Sequence, residues 1–381
     1  MSLDHFSFPT SVHFGPGARR LAPAHLYSMG LRRPLLVTDR ALAALPMTAE
    51  FAADLRSAGL EAHVFSGVWG NPVSAQVRAG AEAFRDHGAD AVIGFGGGAA
   101  LDVAKAVALM ATHPGDVLEY AWDHPGRRPV GSPLPWLVAL PTTSGTGSEV
   151  GRSAVISDDS THVKRIVFSP ALLAREVFAD PELTVGLPPS ITAATGMDAL
   201  THNVESYLSP AHHPLCDGIA LEGARIAARA LPRAVRDGSD LSARSDMMMS
   251  SLMGAVAFQK DLGAVHSCAH ALGTVADLHH GLANAIMIDH VMRFNAGAAG
   301  AKLSELARVC GAGATAGDFV AWLVRLKEEI GIPAGLRGTG VGASQVGRLV
   351  EIAFADTCHR TNPRPCTPAD FEAMFAAALA C

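Results

Sequence analysis

A change of texture near residue 185 constrains this chain more than any other feature. Before it, short apolar runs that read as buried strands alternate with amphipathic stretches. The runs are Pro34-Leu-Leu-Val-Thr38, Ala62-His-Val-Phe65, Ala91-Val-Ile-Gly-Phe95, Trp136-Leu-Val-Ala-Leu140 and Glu176-Val-Phe-Ala-Asp180; the helical stretches are Ser74 to His87 and Leu101 to Met110. Apolar strands separated by helices require a mainly parallel sheet covered on both faces. From Ser190 onward the residues are Ala-, Leu- and Met-rich with helical periodicity and almost no strand signal, and Pro210, Pro214, Pro232 and Pro333 read as helix punctuation. The expectation is an α/β domain over residues 1–185, with a mainly parallel sheet, followed by an all-helical domain over residues 186–381.

The helical half carries a set of possible metal donors. Asp198 and His202 are four apart, so on a helix they project from one face and can converge on one cation. His266 and His270 repeat that offset, and the pair His279-His280 closes the set in a Gly/Ala-rich stretch that runs on to Asn284. Spacing leaves both His270 and His279 open as the fourth ligand. An Asp/His donor set suits zinc or ferrous iron and suits calcium or magnesium poorly, since those prefer all-oxygen shells. Cys268, between two of the histidines, reads as a small buried filler.

The first half carries two glycine-rich loops. Gly94-Phe-Gly96-Gly97-Gly98-Ala99 follows a strand and opens a helix, where backbone N–H groups can approach a pyrophosphate at the positive end of the helix. Pro141-Thr-Thr-Ser-Gly-Thr-Gly-Ser-Glu149 follows the next strand and gathers hydroxyls, glycines and amides, as a polar cofactor at strand carboxyl ends requires. Asp39 ends an earlier strand, where a carboxylate accepts from ribose hydroxyls and repels a 2′-phosphate, favouring NAD over NADP. Because that acid precedes the glycines, the connectivity is not that of a standard Rossmann unit.

Composition removes other classes of function. The net charge of −6, with no dense Lys/Arg run, gives no electrostatic footprint for nucleic acid or anionic membrane, so the expected partners are small molecules. No run approaches the roughly 18 apolar residues of a membrane span, and Met1-Ser-Leu-Asp-His-Phe6 lacks the basic start of a secretion signal. The 6 cysteines form no CxxC pair, which suits a reducing compartment; the cytoplasm is the expected location.

Taken together, these residues resemble the iron-containing (group III) alcohol dehydrogenases, within the dehydroquinate-synthase-like superfamily. The similarity runs nearly end to end: Phe14-Gly-Pro-Gly17, Thr38-Asp39, Asn71-Pro72, Gly96-Gly-Gly98 with Asp102 and Lys105, the loop Pro141 to Glu149, Asp180-Pro181, Gly196-Met-Asp198 with His202 and Glu205, and Asn362-Pro-Arg364. The resemblance implies a metal, Fe(II) in first place with Zn(II) as alternative, bound by Asp198, His202, His266 and His280, with His270 beside nicotinamide and substrate. It implies NAD-binding roles for Asp39, Gly97, Gly98, Asp102, Thr142, Thr143 and Lys164; Gly96 and Thr146 belong to the same loops and are taken with them. It also implies a homodimer. The chain departs from the family pattern at Ala99, where serine is common, and at Asp261, where glycine is frequent.

The implied activity is hydride transfer between NAD(H) and a small alcohol or hydroxy acid, with the active site in a cleft between the domains. A divalent cation among three neutral imidazoles and one carboxylate keeps net positive charge, which lowers the pKa of an alcohol that meets it. His270 is the candidate proton relay. One rival is a metal- and NAD-dependent cyclase or lyase of the dehydroquinate-synthase kind; it needs basic residues for a phosphorylated substrate, whereas Ala255-Val-Ala-Phe258 is apolar. The other is a catalytically silent metal-binding protein, against which the complete ligand set and both loops argue. Lys260 and Arg152 are candidate partners for an anionic substrate group.

Overall fold

In a computed structural model, which describes residue 8, residues 10–131 and residues 133–381, the contacts divide the chain into two units. One runs to Thr143 and resumes over Gly147–Thr184; the other comprises Ser144–Thr146 and Val185–Cys381.

The first unit contains β1 (Ser11–Phe14), β2 (Pro34–Asp39), β3 (His63–Val68), β4 (Ala91–Gly96), β5 (Trp136–Pro141), β6 (Ser153–Ser157), β7 (Lys164–Phe168) and β8 (Glu176–Ala179). Its helices are α1 (Ala22–Ser28), α2 (Arg40–Ala43), α3 (Pro46–Ser57), α4 (Ser74–His87) and α5 (Gly98–Met110). Six strands form one parallel sheet in the order β1-β8-β5-β4-β2-β3. The central strands are apolar on both sides because both faces are covered. Leu36, Ile93, Phe95, Val138 and Leu140 pack against Leu26, Phe51 and Leu55 from the helices, while Val77, Ala81, Leu109 and Met110 form a separate core with Ile156 and Val167. Those last two residues belong to the antiparallel hairpin β6–β7. Neither this hairpin nor the short β1 stands out in the sequence, since both mix polar with apolar residues.

The register aligns the carboxyl ends of three neighbouring strands. Gly96 pairs with Pro141 across β4 and β5, and Val37 pairs with Gly94 across β2 and β4. Asp39 and the starts of both glycine-rich loops therefore emerge side by side at the edge where open α/β sheets bind ligands.

The second unit is built from α6 (Pro189–Leu208), α7 (Pro214–Arg236), α8 (Leu241–Ala257), α9 (Ala264–Ala276), α10 (His280–Val309), α11 (Ala316–Glu329), α12 (Val346–Ala355) and α13 (Pro368–Ala380). Met197, Leu200, Leu231, Leu272, Ile286, Ile288, Phe319 and Phe371 share its core. Among the described residues no helix is long and apolar enough to cross a membrane.

One expectation fails here. Pro232 does not punctuate; it lies inside α7. Proline removes one hydrogen bond and crowds the carbonyl four residues back, at about 3 kcal/mol. Around it Ala227, Ala230, Leu231 and Ala234 are all buried, and that packing carries the helix through.

Candidate active site

Helix α6 is buried on nearly every side, yet Asp198, His202, Asn203, Glu205 and Ser206 are all on it. Polar groups taken out of water need partners, and here they are found on neighbouring helices. Asp198 Oδ1 lies 3.8 Å from His202 Nε2, 3.7 Å from His266 Nε2 and 3.6 Å from His280 Nε2. Four ligands about 2.1 Å from a tetrahedral centre stand about 3.4 Å apart, so these atoms sit at the spacing one small cation requires. The donor chemistry, one carboxylate and three imidazoles, fits a borderline divalent ion.

The surroundings fix each donor. Glu205, one turn beyond His202 and two beyond Asp198, accepts from the backbone N–H of Val265 at 2.7 Å and holds His266 Nδ1 at 2.6 Å. A carboxylate on Nδ1 leaves Nε2 as the ligating nitrogen. The rings of His202 and His266 stack at 4.7 Å. Asn284 Nδ2 donates to Asp198 Oδ1 at 2.8 Å and lies 3.2 Å from His280 Nε2.

The charges follow. Burial disfavours ionisation of Asp198, but His202, His280 and His266 outweigh it and hold the carboxyl well below the usual range. Burial lowers the pKa of His202 to about 4, so it is a neutral imidazole. Burial also opposes a proton on His266, but the nearby carboxylates of Asp198 and Glu205 prevail and raise its pKa to about 9. That proton occupies a position a cation would take.

His270 stands beside this set without joining it through Nδ1. Its ring stacks on His280 at 5.4 Å, and Nδ1 lies 2.8 Å from Asp356 Oδ2. Burial opposes the charge of Asp356, but His270, the Cys358 N–H and the Ser267 hydroxyl hold its carboxyl well below the usual range. His279 caps α10, its Nδ1 accepting from the Leu282 N–H at 3.4 Å. Cys268 is fully buried, as a filler should be.

In the α/β unit, Asp39 caps α2 by accepting from the Leu42 N–H at 2.8 Å. Its other oxygen lies 3.7 Å from where a Gly96 Cβ would stand. Gly98 opens α5 without any side-chain cap, leaving amides free for an anion. A Cβ at Gly97 would press on the Thr143 side chain at 3.2 Å, and the Thr142 N–H donates to Gly96 O at 3.0 Å. Asp102 is committed within the unit: it accepts from Ser148 Oγ at 2.6 Å and the Val155 N–H at 3.0 Å, with Lys105 at 3.8 Å. Lys164 is close enough to act on the Asp102 charge. Thr146 falls in the short stretch grouped with the helical unit, where neighbouring Gly145 O accepts from Ser251 Oγ at 3.1 Å.

The two candidate substrate cations are placed differently. Lys260 is buried and ion-paired with Asp217. With its charge paired there, it does not stand as a free partner for an anionic substrate group. Arg152 lies over the Phe168 ring, 5.5 Å from its centre.

The residues missed by sequence reasoning are Asp356 and Ser267, which no local pattern marks, and the part played by Asn284. Glu205 was visible only as a member of a resemblance motif.

Comparison with known proteins decides the family. Residues 9–181 match the model for iron-containing alcohol dehydrogenases, and residues 192–379 match the C-terminal model of the same family. The chain belongs to the iron-containing alcohol dehydrogenase family. It is 40% identical to a 4-hydroxybutyrate dehydrogenase of Cupriavidus necator, with 96% of this chain and 97% of the relative covered. The crystal structure of a 1,3-propanediol oxidoreductase superposes with a TM-score of 0.94 at 37% identity, covering 98% of this chain and all of the other. A sulfoacetaldehyde reductase of Bifidobacterium kashiwanohense, solved in complex with NAD+, gives 0.92 at 28% identity and full coverage of both chains. Membership makes this chain an oxidoreductase of the alcohol dehydrogenase type, and the cyclase or lyase reading is not favoured.

Proposed function

We propose that this alcohol dehydrogenase works with NAD(H) and one divalent metal ion held by Asp198, His202, His266 and His280, interconverting a small primary alcohol and its aldehyde. The observation that carries the reading is the approach of three imidazole Nε2 atoms to one buried carboxylate oxygen, at 3.6 to 3.8 Å. When bound there, such a cation would supply Lewis acidity towards an alcohol or carbonyl oxygen, and NAD(H) would supply the hydride acceptor or donor. Iron(II) is the first choice on the family's description, with zinc the rival that affinity order favours.

The chain's own residues supply the rest. Glu205 orients His266, and Asn284 holds Asp198 Oδ1 in place. His270, beside His280, is assigned the alcohol proton. In the α/β unit, Asp39 and the loops at Gly96–Gly98 and Thr142–Thr146 are assigned to NAD, with Asp102 and Lys164 alongside. The Asp39 carboxylate disfavours a 2′-phosphate.

A short hydroxy acid is a second reading, favoured by the relative named for 4-hydroxybutyrate. Lys260 does not serve it, since that charge is spent on Asp217. A homodimer acting in the cytoplasm completes the proposal; the six cysteines, all free, suit that compartment.

Elemental analysis, together with NADH absorbance on a panel of alcohols, diols and hydroxy acids, tests the reading. His202→Ala and His280→Ala should lose metal and activity together while remaining folded. Full metal content in both variants would overturn the ligand assignment.

A further inference from the structure

His270 is one half of a wired pair. Its Nδ1 lies 2.8 Å from Asp356 Oδ2 although the residues are 86 positions apart. The backbone and hydroxyl donors around that carboxylate can be read, and the Cys358 thiol lies against it as well. The His359 N–H donates to Ser267 Oγ at 2.9 Å, so the serine's own hydrogen is free to turn to Asp356 Oδ1 at 2.8 Å. The Cys358 N–H donates to the same oxygen, also at 2.8 Å. The hydroxyl and the amide thus both hold Oδ1, and Oδ2 faces the imidazole. A carboxylate only accepts, so Nδ1 carries a hydrogen. In the neutral ring Nε2 then has the lone pair.

We propose that Asp356 is the positioning residue for His270, locking it in the tautomer whose Nε2 accepts a proton, with Ser267 and the Cys358 amide holding the carboxylate in place. The inference rests on the role given to His270 under the proposed function. Asp356 touches neither substrate nor cofactor in this scheme; it acts through the ring.

The network makes an unusual demand on mutants. In Asp356→Asn the Ser267 hydroxyl and the Cys358 N–H still require an oxygen, so the amide must present its NH2 to Nδ1. The imidazole then has to accept at Nδ1 and carry its hydrogen on Nε2, the wrong tautomer for taking a proton. Asp356→Ala removes the partner without imposing that inversion. A structural role predicts that the larger truncation does more harm; the tautomer argument predicts that the isosteric amide does at least as much.

The test uses the zinc-loaded enzyme, which is diamagnetic, with NAD and the best alcohol of the panel. Asp356→Asn should lower kcat by about a hundredfold or more, as loss of a general base does, and no less than Asp356→Ala. KM for NAD and metal content should stay near wild type. In enzyme labelled with 15N-histidine, the His270 ring, identified by its loss in His270→Ala, should show its hydrogen on Nδ1 in the wild type and on Nε2 in Asp356→Asn. A kcat for Asp356→Asn within about threefold of wild type, while His270→Ala loses turnover, would overturn the positioning role alone. An unchanged tautomer, or metal lost from Asp356→Asn, would also overturn it. Normal turnover in His270→Ala with full metal would overturn the role of His270 and this inference with it.

Discussion

Gly281 follows the proposed ligand His280 at the start of α10, and the way it packs on α6 fixes the outcome of replacing it. A Cβ at this position would overlap the carbonyl oxygen of Ala194, stand 2.8 Å from Ala194 C and lie 3.3 Å from the Thr195 N. All three atoms are backbone, so no side chain can turn aside. Ordinary carbon contact begins near 3.5 Å, so α10 must retreat from α6 by about 1 Å at this point. Overpacking of this kind costs about 1–3 kcal/mol, offset by up to about 1 kcal/mol from alanine's better helix propensity. Asp198 is on α6 and His280 on α10, with Asp198 Oδ1 and His280 Nε2 now 3.6 Å apart. The same retreat therefore opens the donor set, and metal affinity should fall about 10- to 100-fold, the range seen when a ligand's support is lost. Competition with a chelator measures the affinity, and thermal melting of the metal-free protein measures the packing cost. Gly300→Ala is the control, since a Cβ there, in the part of α10 beyond the break at Ala299, meets nothing within 4 Å. Gly281→Ala should lose both stability and affinity, and Gly300→Ala neither. Indistinguishable behaviour of the two variants would refute the argument.

Two further outcomes are expected. Burial raises the pKa of Glu149 from 4.5 to about 7 against the pull of Lys105. The folded state therefore keeps a proton that the unfolded state releases, and stability is lost as pH rises from about 4.5 to 7, by an upper value of about 3 kcal/mol. Glu149→Gln should gain on the wild type across that window in urea titrations; a gap that does not change with pH would contradict the assignment. Asp261 has φ 62° and ψ 179°, a conformation that is essentially glycine's and strains other residues by about 1–3 kcal/mol. Asp261→Gly should raise the unfolding midpoint in urea by an amount equivalent to about 1 kcal/mol once glycine's extra freedom in the unfolded chain is subtracted. A lower midpoint would show that the turn is not strained.

Much of the architecture was legible because it is written in short-range periodicity. Strands β2, β4, β5 and β8 and helices α4 and α5 announce themselves by apolar runs and one-sided patterns a few residues long, and covering both sheet faces leaves such runs no polar option. The spacing Asp198/His202 was legible for the same reason, since two residues four apart on a helix share a face. Pro232 shows the limit of that local reasoning: a residue that would break an isolated helix is carried through α7 by a buried alanine face.

Tertiary structure decided what the local pattern could not weigh. Which nitrogen His270 leaves open depends on Asp356, 86 residues away. His266 depends in the same way on Glu205, 61 residues away. Lys260 has the sequence of a surface cation, yet burial beside Asp217 withdraws it from any ligand. The sequence by itself determined the two kinds of unit, the glycine-rich loops at strand ends and most of the donor atoms, because backbone geometry converts spacing directly into direction. Only the folded chain decided which donors meet, which nitrogen each imidazole offers and which charges are spent, because those are set by partners that chain spacing does not bring together.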